Sequence, residues 1–142
     1  MTRGIWKKSQ SRPCPMPSAY QPLVPAQRPG SRPFEQPVYR VLVHRKFRNH
    51  WDQLISRVGL QGAQQFWDHV AYTPGKVSPL ASITLLRGKA GAPNGAGWSK
   101  THHYEVSGAG RIDYQYHNAF KTSPDGDEHK VVAILTISYS SH

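Results

Sequence analysis

Residues 98–120 constrain this chain more than any other stretch. "WSKTHHYEVS" (98–107) and "RIDYQYHNAF" (111–120) both alternate in polarity, and "GAG" (108–110) separates them. A short Gly-rich link between two alternating runs predicts a β-hairpin. Successive strand side chains point to opposite faces. Ile112, Tyr114 and Tyr116 therefore share one face, and Arg111, Asp113, Gln115 and His117 the other. On the first strand, Tyr104 and Val106 oppose His103 and Glu105.

The hairpin has neighbours of both kinds. "VYRVLVHRKF", from Val38, reads as a strand, as does the short "SITLL" (82–86). The last strand runs from Val131 toward the end, with Ala133, Leu135, Ile137 and Tyr139 on one face. Thr136, Ser138, Ser140 and His142 lie on its opposite face. Phe47, Trp51, Leu54, Ile55 and Val58 fall on one face of a helix that Gly59 ends. Ala63, Phe66, Trp67, Val70 and Ala71 repeat the stripe, and Pro74-Gly75 closes it. The expected element order is β-α-α-β-β-β-β. It describes an α+β domain, with a mostly antiparallel sheet and a helical hairpin packed on one face.

Residues 1–37 differ in kind. They hold eight of the twelve prolines, six Lys/Arg and one acid, Glu35, which predicts a disordered, basic, Pro-rich arm before a domain over 38–142. The formal net charge of the chain is +10, which points to an anionic partner and says nothing about fold. Cys14 is the only cysteine, so no intramolecular disulfide can form. No apolar run approaches the length of a membrane span, and the basic N-terminus lacks the apolar segment of a secretory signal. A cytoplasmic location is the expectation. The Gly/Ala/Pro loop "GKAGAPNGAG" (88–97) lacks the closing Gly-Lys-Ser/Thr of a Walker-type phosphate loop.

If the apolar strand faces all meet the helices, the other face is a polar plate carrying His103, Glu105, Arg111, Asp113, His117 and His142. A single His on an open sheet face is most often a solvated surface residue. Several His beside an Arg and carboxylates form a less common mixture. A metal site is not expected, because adjacent His102 and His103 point apart and no helical His-x₃-His pair exists.

The segments "LLRGKAG", "GWSKTHHYEV", "GRIDYQY" and "ILTISYSSH", in this order, resemble the RelE/ParE toxin superfamily of bacterial toxin–antitoxin systems. The similarity is closest to its messenger-RNA endonuclease branch, which includes the RelE, YoeB and YafQ types. It covers roughly residues 38–142. "LRGK" looks like the family's Leu-Lys/Arg-Gly strand end, "GRIDYQY" like the strand whose Arg contacts the scissile phosphate, and "SSH" like the terminal His of several members. The chain departs from the pattern at Lys100-Thr101, where members often carry Arg-Arg, and in its longer 88–97 loop.

The resemblance implies metal-free and cofactor-free RNA cleavage, in which the 2′-hydroxyl attacks the adjacent phosphate. That reaction needs a base, a cation for the phosphate and an acid for the leaving 5′-oxygen. By resemblance, Arg111 takes the phosphate and His142 serves as acid or base, with His103 or Glu105 as its complement. Arg87, Lys89 and Lys100 would hold the RNA backbone, with Trp98 and His117 as further RNA-binding positions. The implied partners are messenger RNA, the ribosome and an acidic antitoxin protein, and no membrane. Two other functions share this fold and charge: a ParE-like toxin inhibiting a protein target such as gyrase, and a non-enzymatic RNA-binding module.

Overall fold

A computed structural model describes residues 22–33, 35–77, 83–106, 110–122 and 125–139. The strands are β1 (Leu23–Pro25), β2 (Arg40–His44), β3 (Ile83–Leu85), β4 (His102–Val106), β5 (Gly110–Phe120) and β6 (His129–Ser138). The helices are α1 (Arg48–Asp52), α2 (Leu54–Val58), α3 (Leu60–Tyr72) and the single turn α4 (Gly88–Gly91), with a 3₁₀ turn over Arg45–Phe47. The six strands form one sheet in the order β1-β2-β6-β5-β4-β3. The α+β class holds, but the sheet is mixed, because β2 and β6 pair in parallel. No helix among the described residues is long and apolar enough to cross a membrane.

α3 buries every residue of its expected stripe, Ala63, Phe66, Trp67, Val70 and Ala71. Phe66 stands edge-on to Tyr104 (5.0 Å between ring centroids) and to Tyr114 (6.1 Å), which ties helix to sheet. The first expected helix is interrupted. Gln53, at φ −90° and ψ 0°, separates α1 from α2, and Ile55 turns to solvent. Gly59 then takes φ +88°, a left-handed conformation that side chains disfavour, and lets α2 reverse into α3 within one residue.

The expected boundary after residue 37 is corrected by the packing of residues 22–33. β1 pairs antiparallel with β2 along the sheet edge, where the flanking prolines Pro22 and Pro25 are tolerated. Ala26 is buried, and the Trp67 indole donates to its carbonyl at 2.9 Å. Arg28 makes a two-pronged contact with Asp68, at 2.8 and 3.0 Å. The Asp68 side of that pair is half-exposed and screened, so burial of Trp51 and Trp67 against the segment outweighs it. Residues 1–21 and 34 of the expected arm lie outside the described residues.

β6 carries a second correction. Asp113 pairs with Thr136 but Tyr114 pairs with Ile134, so Leu135 is an extra residue, a β-bulge. The bulge reverses the alternation. Val132 and Ile134 join Ile137 in the core beneath the helices, and Ala133 turns to the other face. The expected face of Ala133, Leu135 and Ile137 therefore does not exist as a unit.

Candidate active site

The open face of the sheet presents two short cross-strand rows. In the first, Thr84, His103, Asp113 and Thr136 are direct neighbours on β3, β4, β5 and β6. In the second, Glu105, Arg111 and Ser138 are neighbours on β4, β5 and β6. Adjacent strands lie about 4.8 Å apart, so each row brings its side chains within contact range.

His103 and Asp113 use that proximity. His103 Nδ1 lies 2.6 Å from Asp113 Oδ1, and the Thr136 hydroxyl donates to Asp113 Oδ2 at 3.0 Å. The carboxylate is thus engaged on both oxygens. An ionised carboxylate only accepts, so it fixes the proton of a neutral imidazole on Nδ1 and leaves Nε2 as a bare acceptor. Nε2 faces Glu105 Oε2 at 3.9 Å, beyond hydrogen-bond range. The Arg111 guanidinium is held over the same carboxylate, Nε to Oε2 3.8 Å. The side chains of His103 and Asp113 are 22% and 24% exposed, and those of Arg111 and Glu105 32% and 45%. A half-sheltered imidazole with an oriented ring, beside an accessible guanidinium, suits proton transfer at an anionic substrate.

Three of the four expected catalytic residues, Arg111, His103 and Glu105, therefore come together. The fourth, His142, lies outside the described residues. Asp113 and Thr136, neither among the expected site residues, join them. Asp113 lies on the expected plate, but its partner depends on hairpin register. A turn at 108–110 sets Asp113 opposite Glu105, whereas the observed pairing of Val106 with Gly110 sets it opposite His103.

The plate ends beyond Asp113. Gln115 is buried under the segment leading from α4 to β4 and is fully engaged there. Its side-chain nitrogen donates to Ala92 O (2.8 Å) and Thr101 Oγ1 (2.9 Å), and its oxygen accepts from Asn94 N (2.9 Å). His117 and Trp98 do not join the site. They pack edge to face at 5.2 Å, with Phe120 beside both rings. Arg87, Lys89 and Lys100 are exposed at the β3 side of the sheet. Lys100 lies three residues before His103, on the order of 10 Å along an extended chain.

The neighbouring His102 belongs to the core. It stacks on Tyr114 at 5.1 Å, and its Nδ1 lies 2.9 Å from Lys100 O. Burial lowers its pKa. The pKa of His69, behind it on α3, is lowered first by burial and then by His102 and Lys76. Among the described residues, no three His, Cys, Asp or Glu side chains converge as a metal ion would require. Comparison with protein-family models, curated proteins and solved structures found no match to this chain.

Proposed function

We propose that the chain is a metal-independent endoribonuclease, the toxin component of a toxin–antitoxin pair, which cleaves messenger RNA on the ribosome. The observation that carries the reading is the His103–Asp113 pair, 2.6 Å apart, on the same open face as Arg111. The order of sequence motifs supplies the toxin assignment.

In this mechanism His103 Nε2 takes the proton of a 2′-hydroxyl, and Asp113 steadies the imidazolium that forms. The 2′-oxygen bonds to the adjacent phosphorus and the bond to the 5′-oxygen breaks. The products are a 2′,3′-cyclic phosphate and a 5′-hydroxyl. Arg111 offers two parallel donors to the phosphate oxygens as charge accumulates. His142 is assigned the proton donor for the leaving oxygen. A net charge of +10 calls for an acidic antitoxin that covers the basic surface until the toxin acts.

The test is cleavage of ribosome-bound message together with growth on expression of the chain alone. Wild type should cleave and arrest growth, and Arg111→Ala should cleave roughly 10²–10³-fold more slowly. Full toxicity of Arg111→Ala, or tolerance of the wild-type chain at high level, would contradict the reading.

A further inference from the structure

A cleft of about 660 Å³ opens at the β3 edge of the sheet, between β3, α4 and the approach to β4. β3 is the last strand in the order, so its outer edge has no strand partner among the described residues. The apolar lining is unusually bare: Leu85 is 45% exposed and Val77 41%. Leu86 and Pro93 continue it, and Arg87 and Lys100 supply its charge. No carboxylate stands among its described lining residues. Thr84, the register partner of His103, lines the cleft, while Leu85 is the partner of the buried His102, so the cleft wraps around the β3 edge from the helix side of the sheet toward the candidate active site.

These features ask for a ligand with a flat apolar body and an attached anion. A water-exposed apolar patch gains by being covered. Two cations without a neighbouring carboxylate favour a phosphate. The outer edge of β3, which has no strand partner among the described residues, offers backbone donors and acceptors to an inserted ring. We infer that this cleft is a nucleobase subsite, which takes the base of a nucleotide flanking the scissile bond while Arg87 and Lys100 hold its phosphate. The link to a scissile bond rests on the ribonuclease reading; occupancy by a nucleotide does not.

The experiment is a titration of the full chain, followed by backbone amide NMR, with four probes: an uncleavable 2′-O-methyl oligoribonucleotide, nucleoside 5′-monophosphates, ribose 5-phosphate and an acidic peptide. The oligonucleotide and the monophosphates should shift amides over residues 83–91 and at Lys100. Ribose 5-phosphate should bind about tenfold more weakly, the scale of one lost base contact. Leu85→Ala should weaken the monophosphates by a similar factor and leave ribose 5-phosphate unchanged. Arg87→Ala and Lys100→Ala should each lower the salt slope of oligonucleotide binding by about one. Melting temperatures confirm that each variant is folded. Equal binding of ribose 5-phosphate and monophosphates, silence of residues 83–91, or binding of the acidic peptide alone would overturn the inference. Nucleotide binding here without RNA cleavage would keep the subsite and remove the nuclease. Cleavage without these shifts would do the reverse.

Discussion

The two halves of β5 carry the same pattern and do different work. Arg111 and Asp113 alternate with Ile112, and Gln115 and His117 alternate with Tyr116, so both halves send polar groups to the same face. At Arg111 and Asp113 that face stays accessible and gathers His103, Glu105 and Thr136. At Gln115 and His117 the α4–β4 segment covers it, and the polar groups become fasteners. Alternation tells which side a residue faces. Whether that side is open depends on a loop that alternation does not describe.

The sharpest way to break this contrast is to remove one histidine from each half. His103→Ala should slow RNA cleavage by roughly 10²–10⁴-fold, the share of one acid–base group. His117→Ala should leave cleavage nearly unchanged and loosen the Trp98–Phe120 cluster, seen as a lower melting temperature. Equal effects on cleavage would dissolve the distinction between the halves.

Asp113→Asn probes how the open half is organised. The amide retains the shape but no longer holds the proton on Nδ1 or steadies the imidazolium. Cleavage should fall by about 10²-fold, and ¹⁵N NMR of His103 should show the neutral ring leaving the Nδ1–H tautomer. A loss of activity with the tautomer unchanged would make Asp113 a folding residue instead of a positioning one.

Gln115→Leu probes the covered half. It removes three hydrogen bonds to the α4–β4 segment, one buried and two part-buried, and leaves the Thr101 hydroxyl without that donor. Stability should drop by about 1–3 kcal/mol in denaturant titration, while His103 keeps its tautomer. An unchanged midpoint would mean that the segment is held elsewhere.

The smallest effect sharpens a second contrast, between the adjacent histidines. His102 and His69 have lowered pKa values in the folded chain, chiefly through burial, whereas the unfolded chain titrates near the ordinary value of about 6.5. Between those values the unfolded state binds more protons, so stability rises with pH there. The contribution is therefore complete above about pH 6.5 and is lost as pH falls toward the folded values. The melting temperature should drop from pH 7.5 to pH 5, and His69→Gln should flatten that dependence. A pH-independent melting temperature in wild type would contradict the burial of these rings.

Much of this arrangement was legible from residue patterns. The α3 stripe reads directly, because five apolar residues at helical spacing have one way to be buried. The open-face position of His103, Glu105, Arg111 and Asp113 follows from strand phase. The pairing of His103 with Asp113 does not, because moving the turn by one residue exchanges His103 for Glu105 as the neighbour of Asp113. The Leu135 bulge leaves no mark in an apolar run whose residues fit either face. β1 is hidden by Pro22 and Pro25, which suppress a strand signal even where an edge strand tolerates them. The interruption at Gln53 lies within a helical stripe that continues across it.

In the proposed function, the open half of the plate cleaves RNA through a 2′-hydroxyl, without a metal. Its most direct measurement is the chemistry of the cut ends, made with ribosome-bound message and wild-type chain first stripped of bound metal by chelator and then separated from it. Cleavage should proceed and leave 2′,3′-cyclic phosphate and 5′-hydroxyl ends. Cuts bearing 5′-phosphate ends, or cleavage that the metal-stripped chain has lost and that returns when a transition metal is added back, would contradict it.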